Sequence, residues 1–205
     1  MNSNVKRLFI AVDVPSAVKA DLAALQTPNT QIKLMNPEQL HITVYFLGDT
    51  NISLVPQIEK ILKDAVRNLG EVKLKLTSLQ VIKQRMIWVR VEDEGKFLVD
   101  LEKKLRQNFV NKNIGQPPRD RPLTPHILVG KYQSGRLISE DEATLVHAKQ
   151  NFRTTTFSVS RLSLYQSDLL PEGARHLLIS SIPFGGVQPD FDQGAGENPH
   201  GTIDF

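Results

Sequence analysis

The sequence predicts an α+β fold with mostly antiparallel sheets. Two observations carry this. Strand-like and helix-like segments follow one another as strand-helix-strand-helix-strand-strand-helix-strand-helix-strand-strand, with adjacent strands that suit hairpins. The two halves of the chain also have comparable content, so each can supply one small sheet.

Residues 7–13 (RLFIAVD) form a short apolar run closed by Val14-Pro15, the pattern of a buried strand. Pro15 and Ser16 open a helix over 17–25, which a turn at Pro28-Asn29 ends. Residues 41–47 (HITVYFL) are β-branched and aromatic, preceded by Pro37 and closed by Gly48-Asp49, and predict a strand. Helical spacing of Ile58, Ile61, Leu62, Ala65, Val66 and Leu69 predicts a helix over 52–69. Val72, Leu74 and Leu76 alternate with Lys73, Lys75 and Thr77 as in a half-buried strand, and 86–91 (MIWVRV) reads as another. Leu98, Leu101, Leu105 and Phe109 mark a helix over 97–109, and 111–125 has no period and reads as a loop. Strand character returns at 126–132 (HILVGKY). Ser139 with the acidic residues after it forms a capping-box pattern that predicts a short helix over 139–147. The last strands are expected at 155–164 and 176–183, joined by a turn near Pro171 to Gly173. A single domain is expected over 1–186. The Gly- and Pro-containing tail at 187–205 cannot bury a core and reads as disordered or as a peripheral strap.

Composition narrows the chemistry. The chain has 205 residues and no cysteine, which excludes a disulfide framework, a thiolate nucleophile and a sulfur-built zinc site. The net charge of +3 is uneven: 1–186 hold 25 basic and 18 acidic residues, and the tail holds Asp190, Asp192, Glu197 and Asp204 with no Lys or Arg. A basic body suits a partner with a few phosphates and is also common on ordinary proteins. No apolar run approaches the roughly 20 residues needed to span a bilayer, and no signal-peptide core follows the first residues. No membrane association and a cytoplasmic location are therefore the default expectations.

Gly-rich phosphate loops, a nucleophile elbow and closely spaced histidine pairs are absent. What remains is a matched pair. His41-Ile42-Thr43-Val44 follows Pro-Glu-Gln-Leu, and His126-Ile127-Leu128-Val129 follows Leu-Thr-Pro. Each histidine opens a strand just after a proline-bearing turn. In an ideal strand His41 and Thr43 share a face, with Ile42 and Val44 behind. A hydroxyl that donates to a phosphoryl oxygen beside an imidazole that moves a proton near pH 7 is a phosphate-handling unit. Two such units facing one another supply a general acid and a general base. The plainer alternative, a strand-edge histidine held by backbone hydrogen bonds, applies to each alone.

PEQLHITVYFLGD resembles the first signature of the two-histidine (2H) phosphoesterases, specifically the 2′-5′ RNA ligase / RNA 2′,3′-cyclic phosphodiesterase family. RLFIAVDVP, MIWVRV, LTPHILVGK and LYQSDLLPEGARHLLISSIPF resemble its first strand, middle strand, second motif and closing hairpin, so the likeness spans about 6–184. The resemblance implies a bilobal, pseudo-two-fold fold: two mostly antiparallel sheets flank a central cleft, with the helices outside. It implies His41 as general acid, His126 as general base and Thr43 as a phosphoryl-oxygen ligand. The implied reaction is metal-independent opening of an RNA 2′,3′-cyclic phosphate to a 2′-phosphate, with reverse 2′-5′ ligation, no cofactor, and a monomer acting on RNA or oligonucleotide ends. Leu128 departs from the pattern by standing where the family has Thr or Ser, which removes one hydroxyl and predicts a slower enzyme. Thr124 is a candidate replacement. Lys131 stands where the family has a phosphate-contacting Arg, a role that requires a bulge or a strand end near Gly130, with a solvated strand-end lysine as the equal alternative. Arg121, with Arg119, is a candidate RNA-backbone contact. Tyr45 is a candidate base-stacking residue, since it shares the His41 face of an ideal strand, and core packing is the preferred reading for it. Packing or helix-end roles are expected for His176 and His147. Two other readings stay open: a catalytically weakened RNA-end-binding module, and a 2H phosphoesterase of a different cyclic or 2′-5′ linked nucleotide.

Overall fold

The computed structural model describes residues 4–24, 32–83, 85–93, 95–116, 122–132, 152–170 and 173–186. In chain order these form β1 (Val5–Asp13), α1 (Ser16–Ala24), β2 (Ile32–Leu34), β3 (His41–Asn51), α2 (Val55–Val66), β4 (Val72–Ile82), β5 (Met86–Glu92), α3 (Phe97–Asn111), β6 (His126–Tyr132), β7 (Thr155–Val159), β8 (Arg161–Leu170) and β9 (Gly173–Pro183). The predicted turn at Pro28-Asn29, the helix over 139–147 and the tail lie outside the described residues, as do Arg119, Arg121 and His147.

The α+β class holds, and every strand pairing is antiparallel. Where the sequence predicts two sheets, the strands form one hydrogen-bonded path, β7-β4-β5-β6-β3-β1-β8-β9, with β2 added to β6. The path narrows at its middle: β3 and β6 share one register pair, Ile42 with Ile127. Both isoleucines are fully buried. Counting β2, five strands lie on the β6 side of this seam and four on the β3 side.

Leu8 to Val12 are all at most 2% exposed because β1 runs between β3 and β8, which explains an unbroken apolar run in place of an alternating one. The amphipathic faces of α2 and α3 pack together, α2 also against β8 and β9 and α3 against β3.

Two boundaries differ from expectation. The strand expected over 155–164 is two strands: β7 pairs with β4, whereas β8 pairs with β1. The chain changes sides of the seam at Ser160, whose carbonyl instead accepts from the Phe184 amide at 2.8 Å. β2 has no counterpart among the predicted strands, since three residues carry too little pattern to be recognised.

Candidate active site

Each motif histidine is built the same way. A 3-10 turn at Pro37–Gln39, held by the Asn36 side chain accepting from the Glu38 amide, delivers the chain into β3. His41 Nδ1 then lies 2.7 Å from the Gln39 carbonyl. At the start of β6, His126 Nδ1 lies 2.7 Å from the Thr124 carbonyl. A carbonyl only accepts, so in both rings Nδ1 carries the hydrogen and Nε2 is the nitrogen that exchanges a proton. The backbone two residues upstream thus fixes both tautomers.

The seam brings the two units together. Extending the register outward from Ile42 and Ile127 sets Thr43 across from His126 and His41 across from Leu128. His41 Nε2 is 3.0 Å from Thr43 Oγ1, so in the neutral ring the hydroxyl donates to it. Burial is the main influence on His41 and, together with the nearby His176 and His126, lowers its pKa from 6.5 to about 4. The Gln39 carbonyl and the Asp13 carboxylate pull the other way. His41 is therefore neutral at pH 7.

Both histidine strands then break the period of two. Thr43 pairs with Ala11 and Tyr45 with Ile10, leaving Val44 as an extra residue. In β6, Leu128 pairs with Trp88 and Gly130 with Ile87, leaving Val129 as the extra one. Two consecutive buried residues result in each strand, Val44-Tyr45 and Val129-Gly130. Such bulges re-aim the side chains beyond them. The fifth residue after each histidine therefore returns to the histidine's face: Phe46 on β3 and Lys131 on β6, both exposed. The bulge that Lys131 needs is present, and its charge is felt at His176. The same device gives Tyr45 the core-packing role preferred from the sequence and removes it as a base-stacking candidate. It points into the core, is 4% exposed and stacks on Phe109 of α3 at 5.3 Å. Phe46, 59% exposed, takes the face expected for Tyr45. Gly48, next but one, adopts φ 69°, which suits the glycine of the Phe-Leu-Gly stretch.

Around His41 lies an aromatic cluster that no sequence motif assembles. Phe9 contacts His41 at 4.9 Å, Phe46 at 5.9 Å and Tyr165 at 5.3 Å between ring centroids. His176 stands edge-on to His41 at 5.2 Å. Asp13, paired in register with His41, accepts from Ser163 at 2.6 Å and from Tyr165 at 2.5 Å. Burial and the Asp13 carboxylate push the Tyr165 phenol pKa up, so Tyr165 stays a donor. On the other side, Trp88 stacks on His126 at 3.5 Å, the two planes 16° apart, and fixes that ring's plane. The sequence signals for these residues are an acid ending an apolar strand and the lone tryptophan. Thr124 is exposed, and its contribution in the structure is its carbonyl. Among the described residues no group of three or more His, Asp or Glu is placed to hold a metal ion.

An all-antiparallel α+β sheet that presents two strand-opening histidines through one seam defines the class: a two-histidine phosphoesterase. The model of the 2'-5' RNA ligase superfamily matches residues 14–169, and the chain belongs to that family. Among curated relatives, the RNA 2',3'-cyclic phosphodiesterase of Methanothermobacter thermautotrophicus is 30% identical over 176 residues, 82% of this chain and 92% of that one. Its namesake in Methanocaldococcus jannaschii is 26% identical over 179 residues, 82% and 94% of the two chains. Among solved structures, a Thermus thermophilus protein aligns with a TM-score of 0.70 at 21% identity, covering 89% of this chain and 100% of that one. E. coli LigT in complex with 3'-AMP aligns with a TM-score of 0.67 at 19% identity, covering 88% and 98%. These two show a shared fold. The relatives' names support a phosphodiesterase. No helix among the described residues is long and apolar enough to cross a membrane.

Proposed function

We propose that the protein is a metal-independent RNA 2′,3′-cyclic phosphodiesterase in which His41 and His126 form the acid–base pair. The observation that carries this is the matched presentation of the two rings. Each is locked through Nδ1 to the carbonyl two residues upstream, and each offers Nε2 on the face they share across the Ile42–Ile127 seam. With a cyclic phosphate between them, His126 Nε2 takes a proton from water as its oxygen bonds to phosphorus. The bond from phosphorus to the ribose 3′ oxygen breaks, and His41 gives that oxygen its proton, leaving a 2′-phosphate. With an RNA 5′-hydroxyl as the nucleophile in place of water, the same steps join RNA ends through a 2′-5′ linkage. Because His41 is neutral at pH 7, it takes up its proton from solvent as the substrate binds: phosphate charge beside Nε2 raises the ring's proton affinity. Thr43 Oγ1 turns from His41 to a phosphoryl oxygen, Lys131 supplies positive charge on the same face, and exposed Phe46 offers a stacking surface for the terminal base.

Incubation with 2′,3′-cyclic AMP in EDTA, with product identification by chromatography, tests the reading. A 2′-phosphate is expected, lost in His41→Ala and His126→Ala. Tight binding of cyclic-phosphate-ended RNA without turnover would instead make the protein an RNA-end-binding module. An aryl phosphodiester whose leaving group needs no proton separates the two roles: His41→Ala should still cleave it and His126→Ala should not. The opposite result exchanges acid and base.

A further inference from the structure

His176 is the residue of this site that neither motif contains. It lies on β9, paired with Ser167 of β8, and stands edge-on to both His41 (5.2 Å) and Phe9 (4.9 Å). Its backbone is held by the residue that also locks His41. The Gln39 side chain donates to the Ala174 carbonyl (3.2 Å) and accepts from the His176 amide (3.3 Å), while the Gln39 carbonyl receives the His41 proton. His41 and His176 are thus fixed against one another through one glutamine.

The ring's two nitrogens differ. Nδ1 is sealed from solvent and has no hydrogen-bond partner, whereas Nε2 is not sealed in this way. A buried N–H without an acceptor is costly, so the neutral ring carries its hydrogen on Nε2, where water or a ligand can accept it. Burial, and after it the charge of Lys131, lowers the His176 pKa, so the ring is a neutral donor at pH 7. Packing alone would be served by a phenyl ring. The polar end matters because of what sits across the seam: Leu128 opposes His41 and has no hydroxyl, although the face around it is where a phosphoryl oxygen would lie.

We propose that His176 is a phosphate-binding residue of this chain, its Nε2–H donating to a non-bridging phosphoryl oxygen and so supplying the hydrogen bond that Leu128 cannot. The proposal rests on the phosphodiesterase reading above. With it, the missing hydroxyl no longer implies a proportionately slower enzyme: the two-donor phosphate site is kept, with one donor moved from β6 to β9.

The test is a double-mutant cycle on 2′,3′-cyclic AMP with His176→Phe, which keeps an aromatic ring beside Phe9, and Leu128→Thr. His176→Phe should lower kcat about ten- to a hundredfold, the value of a lost hydrogen bond to a charged group, with the melting temperature near that of wild type. Leu128→Thr should raise kcat little in the wild-type background and restore most of the loss in His176→Phe. Unchanged kcat in His176→Phe overturns the proposal, as does an equal factor from Leu128→Thr in both backgrounds. If wild type turns over no cyclic phosphate, the phosphodiesterase reading has failed on its own, and the affinity for inorganic phosphate decides this one. A clear weakening in His176→Phe supports it, and an unchanged dissociation constant overturns it.

Discussion

Burying a neutral histidine ties the stability of the fold to pH. His41 titrates at 6.5 when solvated and at about 4 in the folded chain. Between these values the unfolded chain binds the proton more readily than the folded one. His41 therefore takes nothing from stability above pH 6.5 and withdraws it progressively as pH falls towards 4. At pH 5 the two affinities differ enough to cost about 2 kcal/mol, an upper value because part of the ring is open to solvent. Replacing His41 by Gln removes the titration. Urea unfolding at pH 7.5 and at pH 5.0 should show wild type losing up to about 2 kcal/mol more than His41→Gln between the two conditions, with unchanged m-values. The comparison cancels the other acid-sensitive groups, including His176, whose folded pKa is also lowered. If the two proteins lose the same stability, His41 is not held neutral by burial, and the protonation logic proposed for the reaction fails with it.

The bulges make two further expectations that a period-two reading would reverse. Tyr45→Phe should leave turnover unchanged and stability unchanged or slightly raised, because the Tyr45 hydroxyl is buried without a partner; a steady-state assay and a urea curve check both. Phe46→Ala removes a ring that is 59% exposed, so stability should change by under about 0.5 kcal/mol. Its KM for a cyclic purine nucleotide should rise, by about tenfold if a stacking contact worth 1–3 kcal/mol is lost.

Much of the fold is legible from periodicity. The strand expected at 126–132 is observed with those bounds, and the expected helices at 17–25 and 97–109 are found within two residues at each end. The split at Ser160 also leaves a trace. Buried Phe157 and Val159 are odd-numbered and buried Leu162 and Leu164 even-numbered, a phase slip that marks a chain passing from one pairing partner to another. The histidine motifs are visible because their chemistry and their local backbone lie in the same few residues. What surrounds them is not. Asp13, Tyr165 and His176 meet His41 through the register of β1, β8 and β9, which no local pattern encodes. The bulges at Val44 and Val129 depend on how β3 and β6 pair with their neighbours, so a strand read in isolation assigns Tyr45 to the wrong face.

The single pair joining β3 to β6 has a mechanical consequence. A sheet resists deformation through its ladder of hydrogen bonds, and this ladder thins to one rung where the two motif histidines sit. Compliance is concentrated at that rung, so the gap between His41 and His126 is set by the fit of Ile42 against Ile127 and not by a stiff ladder. Each ring keeps its own tautomer and orientation while that gap adjusts. Shortening either isoleucine to valine is then a tuning screw: it alters the span between the two rings without touching either histidine or the groups proposed to handle phosphate.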